Sequence, residues 1–159
     1  MYRVVKTHFF DCAHRIRGHQ GRCQHIHGHT FCVEVCVRAD ELDELGMVID
    51  FGKFKKLFSW IDEEFDHTLV LGEVDARLMR TAGVFSSLEL AGVPIDRIRE
   101  KPLTITSETL AKHFFLKARE LLLPDSNSVA SHVGDLHIEY VRVYEQLHPT
   151  ISYAEYRPS

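Results

Sequence analysis

His27-Gly28-His29-Thr30-Phe31-Cys32-Val33-Glu34-Val35-Cys36-Val37-Arg38 alternates between two kinds of side chain along its whole length. The odd positions carry His27, His29, Phe31, Val33, Val35 and Val37, and the even ones carry Gly28, Thr30, Cys32, Glu34, Cys36 and Arg38. Successive side chains of a strand point to opposite faces, so this period of two predicts a half-buried strand with an apolar inward face. The same alternation sets His27 and His29 side by side on that face, at the strand's N-terminal end.

The neighbouring sequence enlarges the pattern. Cys23-Gln24-His25-Ile26-His27-Gly28-His29 places a thiol four positions before the pair. With 11 His in 159 residues, a bare His-x-His occurs about once by chance. Requiring the Cys and the Gly as well reduces that to about one chain in a thousand, which makes the heptad a specific signal.

The remaining elements follow from periodicity and caps. Residues 2–10 read as a strand through Tyr2, Val4, Val5, Phe9 and Phe10. Asp50 caps a helix carrying Phe51, Phe54, Leu57, Phe58, Ile61 and Phe65 at helical spacing, a core-facing stripe. A second helix starts at Thr106 or Ser107, with Glu108 in its positive first turn, and runs through Leu110, Phe114, Ala118, Leu121 and Leu122 to end near Pro124. A polar loop at 125–131 precedes a strand over 137–145, whose odd face holds Val141, Val143 and Glu145, and a last strand over 151–156. The order β-β-α-α-β-β without βαβ units predicts an antiparallel sheet of the α+β class. Residues 72–102, with Gly72, Gly83, Gly92, Pro94 and Pro102 around a helical phrase at 74–80, are too long for a bare loop and predict one or two short helices.

Composition bounds the function. At 159 residues and 45% hydrophobic the chain suffices for one domain with a core, and a net charge of −4 supplies no basic field for nucleic acid. Arg15, Arg17, Arg22, Lys53, Lys55 and Lys56 either meet a small anion or form a solvated surface. No run has signal-peptide or membrane-spanning length, so no membrane partner and a cytoplasmic location are expected. Its four cysteines are then expected reduced. Their spacing contains no Cys-x-x-Cys, so any bound metal must draw mainly on histidine.

Several residues can carry chemistry. Strand neighbours two apart share a face, so His27 and His29 can present two imidazoles to one ion, and His14, just past the first strand, can add a third. Three imidazoles with a fourth position open is a catalytic zinc arrangement; hydrogen-bonded histidines at a sheet end are the alternative. Cys23, in the Gly21-Arg22-Cys23 turn, suits a base or nucleophile, whereas Cys32 and Cys36 read as small buried groups on the face opposite the histidines. Asp66-His67 can act as a proton-transfer pair, its carboxylate fixing the imidazole tautomer. Glu145 ends the inward parity of its strand, where a carboxylate needs partners: paired N–H groups of a cyclic guanidine, or an Arg.

The chain resembles the 6-pyruvoyl-tetrahydropterin synthase family, and within it most nearly the queuosine-pathway branch that makes 6-carboxy-5,6,7,8-tetrahydropterin. The resemblance rests on Phe10-Asp11-Cys12-Ala13-His14, Cys23-x-x-x-His27-Gly28-His29, Val48-Ile49-Asp50-Phe51, Phe65-Asp66-His67, Thr106-Ser107-Glu108-Thr109-Leu110-Ala111 and Val141-Arg142-Val143-Tyr144-Glu145. Only residues 72–102 fall outside, as an insertion within a single domain over residues 1–159.

It implies a tunnelling fold (T-fold), in which subunit sheets join into a barrel, usually as a homohexamer of two trimers with active sites between subunits. It implies Zn²⁺ on His14, His27 and His29, a catalytic Cys23, a relay of Asp66 with His67, and a pterin held by Glu145 near Thr106 and Ser107. The implied reaction is a zinc-dependent lyase step turning 7,8-dihydroneopterin triphosphate into 6-carboxytetrahydropterin, acetaldehyde and triphosphate. The three-residue spacer between Cys23 and His27, and the absence of Glu between residues 12 and 33, point to that branch. The rival readings are a 6-pyruvoyl-tetrahydropterin synthase, which keeps the side-chain carbons, and a non-catalytic zinc-stabilised oligomerisation module.

Overall fold

The computed structural model describes residues 1–123 and 136–159. Its elements are β1 (Tyr2–His14), β2 (His27–Ala39), α1 (Phe54–Glu64), β3 (Thr68–Gly72), α2 (Glu73–Thr81), α3 (Val84–Leu90), β4 (Ile98–Lys101), α4 (Ser107–Leu122), β5 (His137–Gln146) and β6 (Ser152–Tyr156). The strands form one curled sheet in the order β4-β3-β1-β2-β5-β6, with the helices on one face, the arrangement of the T-fold.

The strands β1, β2, β5 and β6 are the antiparallel set that the alternation predicts. The sheet as a whole is mixed, because β3 joins β1 in parallel and β4 joins β3 in parallel. Thr68-Leu69-Val70-Leu71-Gly72 is a short apolar run without alternation, the pattern of a strand covered on both faces, and so gives no period-two signal. Parallel neighbours need a long crossover, and residues 73–97 supply it with two short helices, as the reading of 72–102 expects. The first strand is longer than its apolar stretch, so His14 is its last residue and does not lie beyond it. The loop read at 125–131 lies outside the described residues.

The core lies between the sheet and helices α1 and α4. Phe54, Leu57, Phe58 and Ile61 of α1, with Phe65 just after it, meet Phe10, Phe31, Val33 and Val35 of the sheet and Leu110, Phe114 and Ala118 of α4. Phe51 is a correction to the predicted stripe: it is exposed, because Asp50 caps a 3₁₀ turn (Phe51–Lys53) that precedes α1. The carboxylate of Asp50 accepts from Gly52 N at 2.6 Å. At α4, which starts where the sequence reading puts it, a capping box closes, the Thr106 side chain accepting from Thr109 N while that of Thr109 takes the Thr106 N–H. A second apolar cluster, Leu71, Ala76 and Phe85, fixes α2 and α3 to the added strands.

The sheet's other face is polar, and most of its charged groups pair with one another. Glu34 accepts from Arg142 Nη1 at 3.0 Å and from the hydroxyls of Tyr140 and Tyr144. Glu139 accepts from Arg3 Nη2 at 2.8 Å and from the Cys36 thiol at 3.4 Å, tying β1 to β5 across β2. The Arg3 guanidinium holds the Glu139 carboxyl down to about 2. An unfolded Glu titrates near about 4.3, so this contact stabilises the fold in full above about pH 5 and is lost between about pH 4 and 2. Glu139→Gln is therefore expected to lower stability at pH 7, and the difference from the unaltered protein in urea titrations should shrink toward zero by about pH 2. A difference independent of pH would assign the effect to packing.

Candidate metal centre and proton-transfer pair

The register of the first two strands assembles the centre. His14 and His27 are Cα partners at the end of the β1–β2 ladder that the 15–26 loop connects, and His29 follows two residues on along the same face. Cys32 pairs with Tyr144, which brings Glu145, next along β5, level with the histidine end of β2. One ligand atom from each of His14, His27, His29 and Glu145 lies within 4.8 Å of all the others. The floor is aromatic, since the Phe31 ring contacts both His14 and His29 edge-on.

Two backbone carbonyls set the tautomers. His14 Nδ1 donates to Ile105 O at 2.9 Å, and His27 Nδ1 donates to His25 O at 2.7 Å. A carbonyl only accepts, so both Nδ1 atoms carry the hydrogen, and in the neutral imidazole the lone pair is then on Nε2. His14 is fully buried, and the Nε2 atoms of His14 and His29 are buried without a hydrogen-bond partner. Each lies about as far from Glu145 Oε1, at 3.4 and 3.5 Å. Buried acceptors left unpaired cost free energy, and lone pairs aimed at one point fit a cation. Burial pushes the His29 pKa down, reinforced by His14 and His27 and opposed by Glu145. The His14 contact, against burial, and the charges of His29 and His27 hold the Glu145 carboxyl below the usual range. The donor set of three imidazoles and a carboxylate suits zinc.

Asp66 and His67 form the second element. Asp66 Oδ2 lies 2.7 Å from His67 Nδ1, and Asp66 Oδ1 accepts from Asp11 N at 2.8 Å. His67 N donates to Asp11 O at 2.6 Å, holding His67 at the left-handed φ of 54°. Asp11 Oδ1 in turn accepts from the Thr30 hydroxyl. Against burial, the Asp11 amide and His67 hold the Asp66 carboxyl below its ordinary value. His67 and His29 line one cavity of about 500 Å³ with Asp11, Thr30 and Leu69.

Cys23 lies in a 3₁₀ turn (Arg22–Gln24), where its carbonyl accepts from Ile16 N at 2.7 Å. It is half-buried, whereas Cys12, Cys32 and Cys36 are buried. Burial pushes the Cys12 thiol up to about 12 and the Cys36 thiol up to about 11. Thr106 spends its hydroxyl on the helix cap, while Ser107 Oγ is buried with no hydrogen-bond partner. Glu145 meets histidines among the described residues, and not an Arg. Sequence reasoning did not find Ile105 or His25, which act through backbone carbonyls that no side-chain pattern reports. Nor did it find Asp11 as the residue that braces Asp66-His67.

Comparison with known proteins adds a family to this geometry. The family described as 6-pyruvoyl tetrahydropterin synthase matches residues 3–158. The 6-carboxy-5,6,7,8-tetrahydropterin synthase of Rickettsia typhi is 38% identical over 128 residues, 80% of this chain and 87% of that protein. The protein of the same name from Rickettsia bellii is 50% identical over 79 residues, 49% of this chain, and the match spans only 57% of that protein's length. An uncharacterized protein from Wolinella succinogenes, 20% identical, has the same fold, with a TM-score of 0.78 over 99% of this chain and 98% of that one.

The purified protein is expected to bind about one zinc ion per chain, and His29→Ala should lose most of it by elemental analysis. Because the His29 imidazole must be neutral to donate, and burial holds its pKa below the ordinary value, loading should fall as the medium is made acid. Full loading of the His29→Ala protein would place the ion elsewhere.

Proposed function

The chain belongs to the 6-pyruvoyl tetrahydropterin synthase family, and on that premise we propose that it is a zinc-dependent 6-carboxy-5,6,7,8-tetrahydropterin synthase. Its reaction would take 7,8-dihydroneopterin triphosphate and one water to 6-carboxytetrahydropterin, acetaldehyde and triphosphate, in queuosine biosynthesis. The observation that carries the reading is the convergence of His14, His27 and His29 beside a carboxylate, in a chain 38% identical to a protein of that name.

His14, His27 and His29 would hold the zinc ion, which when bound would supply Lewis acidity toward the substrate's side-chain hydroxyls. The protein's own groups do the rest. As a thiolate, Cys23 takes the proton from the side-chain carbon, and its half-buried turn leaves it reachable where the other three thiols are buried. His67 exchanges a proton with a side-chain oxygen through Nε2, because Asp66 occupies its Nδ1. Glu145 accepts the pterin's paired N–H groups, and the unspent Ser107 hydroxyl, with Thr106 beside it, lies at the same end of the fold as the Ile105 carbonyl that orients His14. Strands β4 and β6 end the sheet at open edges. Those edges suit a homo-oligomer, proposed as a hexamer of two trimers, in which one pocket collects residues from more than one subunit.

A second reading has its own observation. With Glu145 as a fourth ligand the site would be closed, the mark of a structural zinc. Glu145→Gln separates the two. A pterin anchor predicts unchanged zinc and pterin affinity lower by about ten- to a hundredfold, the scale of a lost charge-assisted bond. Loss of zinc would make Glu145 a ligand and support the structural role.

Activity is tested by mass analysis after incubation with 7,8-dihydroneopterin triphosphate. Acetaldehyde and a carboxylated tetrahydropterin are expected, and a product retaining every carbon would identify a pyruvoyl synthase. Cys23→Ala should keep its zinc and lose at least ~10²-fold in turnover, whereas Cys32→Ala should cost little in rate. A Cys23→Ala protein with undiminished turnover would remove the thiol from the mechanism.

A further inference from the structure

The helix α2 reaches back to the loop that follows His14. Asp75, in its first turn, is 7% exposed, and its Oδ2 lies 2.8 Å from Arg15 Nε, an ion pair whose two buried atoms meet by charge and not in hydrogen-bond geometry. Arg15 directly follows His14, and the next residue, Ile16, donates its N–H to the Cys23 carbonyl. A second contact comes from the start of α2: a Cβ on Gly72 would lie 2.8 Å from Leu103 O, so only glycine lets the two backbones approach this closely. Two residues on, the Ile105 carbonyl takes the His14 Nδ1 hydrogen.

Between these contacts is a cavity of about 390 Å³, lined by Arg15, Arg17, Glu73 and Asp75 and by residues 102–105. Two arginines there could suggest a seat for an anion. The lining carries two carboxylates as well, and Arg15 already spends its charge on Asp75. The balance is neutral, which argues against an anion site and for an internal strut.

We propose that Asp75 is a positioning residue: its ion pair with Arg15 fixes the 15–23 loop, and through it the strand end at His14 and the turn that presents Cys23. This gives the segment between β3 and β4 a task, which is to brace the working residues. Removing either partner leaves the other's charge in a largely buried place, so the loop would have to move to rehydrate it. The proposal rests on the reading above only in naming His14 and Cys23 as working residues, since the strut itself can be observed without metal or substrate.

The test uses the full-length, metal-free protein and three variants: Asp75→Asn, Arg15→Ala and the double substitution. Two readouts report the loop directly, hydrogen exchange at the Ile16 amide and the rate at which iodoacetamide alkylates Cys23, located by peptide mass. Each single variant is expected to speed Ile16 exchange by at least ~10-fold and to accelerate Cys23 alkylation, while Cys12, Cys32 and Cys36 stay protected. The double variant should be no faster than the singles, because both remove one interaction. Asp75→Glu should restore most of the protection. With zinc loaded, the single variants should also release it faster to a chelator. Unchanged Ile16 exchange and Cys23 alkylation would overturn the proposal, even with a lower melting temperature, because Asp75 would then serve only the fold. Additive effects in the double variant would overturn it too. Should Asp75→Asn fail to fold, Arg15→Ala, whose side chain is 30% exposed, carries the same readouts. Absent pterin turnover with the exchange pattern intact would sink the functional reading and leave the strut standing.

Discussion

The strands β1 and β2 pair without a break from Tyr2 opposite Ala39 to His14 opposite His27. Every feature of the site depends on that register. A slip by one residue would turn His27 and His29 to the outer face and bring Glu34 and the cysteines into the core. The apolar contacts of Phe31, Val33 and Val35 with α1 and α4 resist such a slip, so the force that buries the core also aims the imidazoles. The Phe10–Phe31 stack, 5.4 Å between centroids, lies on the same ladder and continues into the aromatic floor beneath His14 and His29.

That arrangement separates the work of the two sheet faces. One face is dry and ends in the metal-type donors. On the other, carboxylates, phenols and guanidinium groups satisfy one another, Glu34 at its centre and Arg142 shared between Glu34 and Glu155. A face of this kind needs no apolar layer to cover it. Cys32 and Cys36 belong to this polar face, where burial raises the pKa of both thiols.

Backbone groups do much of the positioning. Ile105 and His25 fix tautomers through carbonyls, and Asp11 grips Asp66 through its amide and His67 through its carbonyl. Side chains that must meet a metal or move a proton are thus held by the most rigid part of the chain. The same logic extends to α2, whose Asp75 meets the residue after His14. Precision in such sites comes from the supporting contacts as much as from the reacting groups.

The sequence by itself determined the strand at 27–38, the α+β class, both major helices, and the sharing of one face by His27 and His29. Each of these is a local property, readable from a period, a cap or a spacing. It also singled out His14, Cys23, Asp66, His67 and Glu145, as residue types that can carry metal or proton-transfer chemistry where they stand. Tertiary structure alone decided that Glu145 meets His14 and His29 and not an arginine, that the sheet gains two parallel strands, and that Asp75 reaches Arg15. Those outcomes depend on contacts between residues far apart in the chain, which no local period encodes. The carbonyls of Ile105 and His25 were hidden for a related reason: every residue has one, and only the fold selects which of them faces an imidazole.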